Sequence, residues 1–233
     1  MPAHPLTANT AEGDDHRHAD LQLTPDGRWL ICVRQRAVPG AEPLQELVAL
    51  SIADGSVAML AAGSDFVADP RISPDGAHLA WLTWQHPDMP WDATRLWAAK
   101  LVDGGGDPRG RPRLDIAEPR VVAGGRLAPE AGGAPVSVSD AVWGPDGALW
   151  FAGDSVDGYW GAMACPPGMP ECGEARAVAP GPWEVAQPHW VFGRTRIAPL
   201  PGGGALLARR AEGRDVLVAV GAPASGTADA TRV

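Results

Sequence analysis

Three short strings recur along the chain: Thr24-Pro25-Asp26-Gly27, Ser73-Pro74-Asp75-Gly76 and Gly144-Pro145-Asp146-Gly147. Each has the chemistry of a tight turn. Proline presets φ at the first corner, Asp hydrogen-bonds its own backbone, and Gly takes the left-handed position that closes a hairpin. Each turn also leads into an apolar, β-prone run: Trp29-Leu30-Ile31-Cys32-Val33, then Leu79-Ala80-Trp81-Leu82-Thr83-Trp84, then Leu149-Trp150-Phe151-Ala152. These runs are too short and too rich in β-formers for helices. One such turn would mean little; three in register mean repetition.

The prolines at 25, 74 and 145 are spaced by 49 and 71 residues. The first step fits one four-stranded propeller blade of roughly 40–50 residues. The second is a blade plus an insertion, supplied by the Gly/Pro-rich stretch 104–135. A fourth, eroded copy starts at Leu200-Pro201-Gly202-Gly203-Gly204. The expected fold is therefore all-β: a partial β-propeller of about four blades, roughly 19–62, 69–123, 139–179 and 188–220. Residues 1–18 read as a disordered segment and 221–233 as a flexible tail. Within the last blade, 189–192, 195–200, 205–209 and 215–220 read as short strands.

Composition supports many turns and no long helix, since 29 Gly and 24 Pro exceed a fifth of the 233 residues. Ten tryptophans are unusual, and Trp29, Trp81, Trp84, Trp97, Trp143 and Trp150 fall in or beside expected strands, where flat rings fill space between sheets. A net charge of −9 disfavours nucleic acid or an anionic membrane as partner, because phosphate binding needs clustered cations. The basic patch Arg109, Arg111 and Arg113 reads as a solvated insertion. No apolar run is long enough to span a bilayer, and the first 20 residues do not resemble a secretion signal. Cys32 reads as a small buried hydrophobe, and Cys165 and Cys172 could form a local disulfide. With nothing else pointing to an oxidising compartment, the cytoplasm is the default.

The residues offer no catalytic set. Gly153-Asp154-Ser155-Val156-Asp157-Gly158 has the wrong spacing for a nucleophile elbow. Gly104-Gly105-Gly106 and Gly202-Gly203-Gly204 lack the Lys-Ser/Thr of a phosphate loop. His16 and His18, near Asp14, Asp15 and Asp20, suggest at most adventitious metal binding. Asp26, Asp75 and Asp146 read as turn-formers. No catalytic, cofactor-binding or metal-ligating residue is therefore assigned, and no cofactor is expected. The most distinctive non-repetitive piece is the loop His86-Pro87-Asp88-Met89-Pro90-Trp91-Asp92. Stiffened by two prolines, it either packs on its own blade or makes a contact with a domain or peptide through His86, Asp88, Trp91 and Asp92.

The run PRISPDGAHLAWLTWQHPDMPWDATRLWAA resembles the N-terminal β-propeller of bacterial prolyl oligopeptidase-family serine peptidases, of the dipeptidyl aminopeptidase/acylaminoacyl-peptidase type. LTPDGRWLICVRQR, ELVALSIADG, VWGPDGALWFAGDSVDGYW and QPHWVFGRTRIAPL look like successive segments of the same propeller. The resemblance covers roughly 19–220, with HPDMPWD its most specific motif. It implies a cap, usually seven-bladed, over a C-terminal α/β-hydrolase domain carrying a Ser-Asp-His triad, and peptide substrates limited by size. Neither that domain nor its triad is in this sequence. Four blades are too few to close such a ring, and unpaired edges invite self-association. The expectation is a non-catalytic portion, inactive by itself; the alternative is a stand-alone scaffold for protein–protein interaction, of TolB or WD type.

Overall fold

A computed structural model describes residues 5–7, 16–106, 109–126, 135–156, 158–168, 175–187, 189, 191–221 and 230–232. Among them sixteen strands form four antiparallel sheets, each of four strands. The first sheet holds β1 (His16–Leu23), β2 (Trp29–Arg36), β3 (Leu44–Ser51) and β4 (Val57–Ala61). The second holds β5 (Phe66–Ile72), β6 (His78–Trp84), β7 (Arg95–Gly106) and β8 (Pro112–Gly124). The third holds β9 (Val138–Trp143), β10 (Leu149–Val156), β11 (Tyr159–Cys165) and β12 (Arg176–Val178). The fourth holds β13 (Ile197–Pro199), β14 (Ala205–Ala211), β15 (Arg214–Val220) and β16 (Ala230–Arg232). In every sheet spatial order follows chain order. The first strands β1, β5, β9 and β13 touch in succession, which makes an arc of sheets around a centre. The arc is a β-propeller portion that is not closed.

The repeated turns do what their composition requires. Gly27, Gly76 and Gly147 have φ of 70°, 72° and 84°, open to glycine without a steric penalty. Asp26 and Asp75 accept hydrogen bonds from the hydroxyls of Thr24 (2.6 Å) and Ser73 (2.5 Å), and the turn carboxylates also accept from backbone N–H groups of Arg28, Ala77 and Ala148. The first two turns lie side by side, so a Cβ on Gly76 would meet the Pro25 ring at 3.4 Å.

Strand alternation sends neighbouring side chains to opposite faces, so each inner sheet feeds two cores. In β10, Leu149 and Phe151 pack toward the second sheet, while Trp150 and Ala152 pack toward the fourth. In β6, Ala80 and Leu82 join the core shared with the third sheet, while Leu79 and Trp81 join the one shared with the first. Trp29, Trp81, Trp143 and Trp150 are buried, and Trp84 and Trp97 pack partly buried against these cores, as space-fillers should. The outward face of the first sheet keeps a small cluster of Cys32, Val48 and Leu50 with Leu6 and Leu30 against it.

Several boundaries differ from the sequence expectation. β1 begins at His16, inside the segment read as disordered, because 16–19 pair with 33–36 of β2. The insertion in the second repeat is largely strand: β7 and β8 run as one long hairpin whose far end is exposed. Two of its basic residues form ion pairs, Arg113 with Asp115 of the same strand at 3.2 Å and Arg111 with Asp54 of the first sheet at 4.0 Å. Residues 189, 191 and 192, expected within a strand over 189–192, belong to none, whereas 230–232, read as tail, close the fourth sheet against β15. Cys32 is a buried free thiol whose ionisation burial pushes up to about 12. Cys165 is disulfide-bonded, and Cys172 lies outside the described residues. Among the described residues no helix is long and apolar enough to cross a membrane.

Candidate functional site: a charged centre where the sheets meet

Each of the first three inner strands carries a β-bulge, and each bulge holds an aspartate in the left-handed region: Asp20 (φ 54°), Asp69 (φ 56°) and Asp140 (φ 55°). Aspartate tolerates this conformation better than most residues. The bulge turns its carboxylate off the regular ladder, and here the carboxylates turn toward the next sheet. Asp20 Oδ2 accepts the Asp69 N–H at 2.7 Å, and Asp140 Oδ2 accepts the Arg196 N–H at 3.0 Å. Between them, Asp69 faces the Ala141 N–H of the third sheet. Sheet is thus linked to sheet at the centre by carboxylate and backbone.

Two cations face these acids. Arg71 forms ion pairs with Asp69 and, at 3.5 Å, with Asp20 Oδ1; its Nη1 also donates to Pro70 O at 3.0 Å. Arg196 directs its Nε to Ala208 O (2.7 Å) and its Nη2 to Asp215 (2.6 Å). Asp69 is fully buried and neither of its oxygens makes an aligned hydrogen bond. Burial pushes its ionisation up to about 7, against the pull of Arg71. Burial likewise pushes Asp140 up to about 6, held back by the Arg196 N–H and the Ser139 hydroxyl. His189 is 8 % exposed, with Nδ1 at 3.5 Å from Ser139 Oγ and Nε2 without a partner. Burial lowers its pKa, which favours the neutral ring. A cavity of about 360 Å³, lined by Asp140, His189, Arg194 and Arg196 among others, opens beside this group.

The link through Asp140 has a measurable worth. Asp140→Ala leaves the Arg196 N–H without its acceptor, and a loss of about 1–3 kcal/mol is expected in urea unfolding. Asp140→Asn keeps an acceptor oxygen and should retain most of that stability; equal losses in both variants would mean the bond carries nothing.

The loop 85–92 lies at the end of the second sheet opposite its Pro-Asp-Gly turn, because it joins β6 to β7. It is tied down from several sides. The His86 N–H donates to Asp65 at 2.8 Å, the Met89 N–H donates to Asp92 at 2.8 Å, and Arg126 binds Asp88 through both Nε and Nη2. Pro90 O accepts two hydroxyls at 2.8 Å, from Thr94 of its own sheet's loop and from Ser137 at the entry to the third sheet. His86 is exposed and packs edge-on against Phe66 (4.8 Å), while Asp88, Trp91 and Asp92 are half-buried. The loop therefore packs on its own blade and on the next one.

The centre was not visible in the sequence reading. His16 and His18 sit on β1 at an edge-on ring distance of 6.5 Å, and Asp14 and Asp15 lie outside the described residues. Asp20, grouped with those histidines by proximity in sequence, instead meets Asp69 and His189. A signal did exist: Asp20, Asp69 and Asp140 each stand five residues before the proline of a repeated turn.

No family model matches the chain, and no curated protein does either. Solved structures do. A puromycin hydrolase is 28% identical over 99% of this chain, with a TM-score of 0.76, and the match covers 33% of that protein. A puromycin hydrolase mutant complexed with PGG is 30% identical over 97% of the chain, with a TM-score of 0.77 and 32% of that protein covered. A puromycin-hydrolyzing peptidase of Mycobacterium tuberculosis is 29% identical over 93%, with a TM-score of 0.70 and 30% covered. TolB from Acinetobacter baumannii, at 13% identity and a TM-score of 0.50, shares the fold alone. The chain spans about a third of the length of the puromycin hydrolases it matches. In fold, and in sequence over nearly all of its length, the chain is similar to one third of these puromycin hydrolases, peptidases of the prolyl oligopeptidase family, as an N-terminal β-propeller portion would be.

Proposed function

We propose that the chain serves as the non-catalytic propeller portion of a prolyl oligopeptidase-like serine peptidase, capping an active site and restricting it to short peptides. The observation that carries this reading is the near-complete match of the chain, at 28–30% identity, to about a third of two puromycin hydrolase structures. The sequence itself contributes no nucleophile elbow. Hydrolysis would thus depend on an α/β-hydrolase domain supplying Ser, His, Asp and an oxyanion hole. In this reading the propeller acts by exclusion: a packed set of sheets admits an extended peptide and refuses a folded protein. The exposed His86 and half-buried Asp88, Trp91 and Asp92 are the residues we assign to contact with that domain or with the peptide.

Two measurements test the reading. The chain alone should hydrolyse no aminoacyl substrate; turnover blocked by a fluorophosphonate would contradict it. Substituted for the matching third of a puromycin hydrolase, the chain should give a chimera that cleaves short peptides and spares casein. A chimera that degrades both equally well would remove the capping role.

A further inference from the structure

We propose that Asp20, Asp69 and His189 form a binding site for a divalent transition-metal cation, with Zn²⁺ the ion that best suits one imidazole and two carboxylates. One ligand atom from each residue lies within 4.8 Å of the other two. Around a tetrahedral zinc with bonds near 2.0–2.2 Å, ligand atoms stand about 3.4 Å apart, so the group would close by up to about 1.4 Å.

The acids alone would not make a site; the histidine and the burial do. His189 is more than nine-tenths buried, and its Nε2 has no hydrogen-bond partner. A buried imidazole nitrogen left unpaired is costly and calls for an explanation. Ligation is one that uses all three residues. Ser139 Oγ, at 3.5 Å from Nδ1, stands where a partner would hold the ring and leave Nε2 for the metal. Asp69 is fully buried with both oxygens lacking aligned hydrogen bonds.

Arg71 is the competing cation. It carries a single charge on a flexible stem and already donates to Pro70 O, so it has a place to go as the dication enters. The cavity beside His189 gives the ion a route in and leaves room for a water as fourth ligand. Because Asp20 lies on β1, Asp69 on β5 and His189 on the segment leading to β13, the bound ion would tie the first, second and fourth sheets together.

The test uses the whole chain, stripped with EDTA and titrated with ZnCl₂ by calorimetry, with melting followed in parallel. The expected result is one equivalent bound and a melting temperature that rises with free zinc. Asp69→Asn and His189→Ala should weaken binding by roughly 100-fold or more, beyond the loss typical of outer-shell partners. The double variant His16→Ala/His18→Ala should bind as the unmodified chain does. Three results would overturn the site: no saturable uptake, uptake unchanged in Asp69→Asn, or uptake lost with the two N-terminal histidines. Should His189→Ala fail to give a folded circular dichroism spectrum, Asp69→Asn decides, since it preserves shape.

Discussion

Arg71→Met destabilises the chain by about 3–5 kcal/mol at pH 8 and by much less at pH 5, in urea unfolding carried out with EDTA present. The larger figure is the usual cost of stripping a buried charge of its partner. Asp69 is that charge: fully buried, ion-paired to Arg71, and without aligned hydrogen bonds of its own. The pH dependence follows from its ionisation, which burial raises to about 7. At pH 8 the carboxylate is charged and misses the guanidinium; at pH 5 it is protonated and misses little. Asp69→Asn in the same background should recover most of the loss at pH 8. Equal losses at the two pH values would show that Asp69 is not the group Arg71 serves.

The unmodified chain carries the same linkage. Asp69 and Asp140 bind protons more tightly folded than unfolded, since their values of about 7 and about 6 lie above 3.8. Their contribution is therefore present at low pH and is lost as pH rises through 6 and 7, at up to about 1.4 kcal/mol per pH unit for each group. Asp26, Asp54 and Asp215 behave in the opposite sense. Hydrogen bonds hold them down to about 2, so what they contribute is lost only as pH falls toward that value, outside this window.

Trp150→Ala costs about 3–5 kcal/mol, the range for emptying a large aromatic site in a packed core. Trp150 is fully buried between the third and fourth sheets, among Ala152, Ala164, Ile197, Leu207 and Val218. Its loss would uncouple the fourth sheet, so unfolding should broaden or split into two transitions. Trp150→Phe should cost far less, because the indole N–H has no acceptor and its removal relieves an unsatisfied donor. If alanine and phenylalanine prove equally damaging, shape rather than volume governs the site.

The sheets themselves were legible because their signals are local. A Pro-Asp-Gly turn and the alternation after it need no knowledge of the rest of the chain, and β2, β6 and β10 follow where those signals place them. The centre was not legible because its contacts join residues 49 to 56 positions apart, such as Asp20 with Asp69 and Asp140 with Arg196. Asp20 and Asp140 are marked only by standing five residues before a turn proline, a spacing that does not by itself say what their carboxylates meet. β16 was missed for a related reason: Ala230-Thr231-Arg232 has no strand pattern of its own and is recruited by the exposed edge of β15. His189, one of six scattered histidines, acquires meaning only beside Ser139, 50 positions earlier in the chain.

The long β7–β8 hairpin lies at the outer edge of the second sheet, far in register from the bulges that face the centre. Residues 103–106 and 109–110 at its far end are exposed, and the extra length of strand there is laddered between β7 and β8. Such a hairpin is a natural handle. A fluorophore, an affinity tag or a whole reporter domain spliced there would report on the molecule without disturbing the carboxylates that hold the sheets in line. Natural variation in length should also collect at that edge, where chain can be added without moving an inner strand.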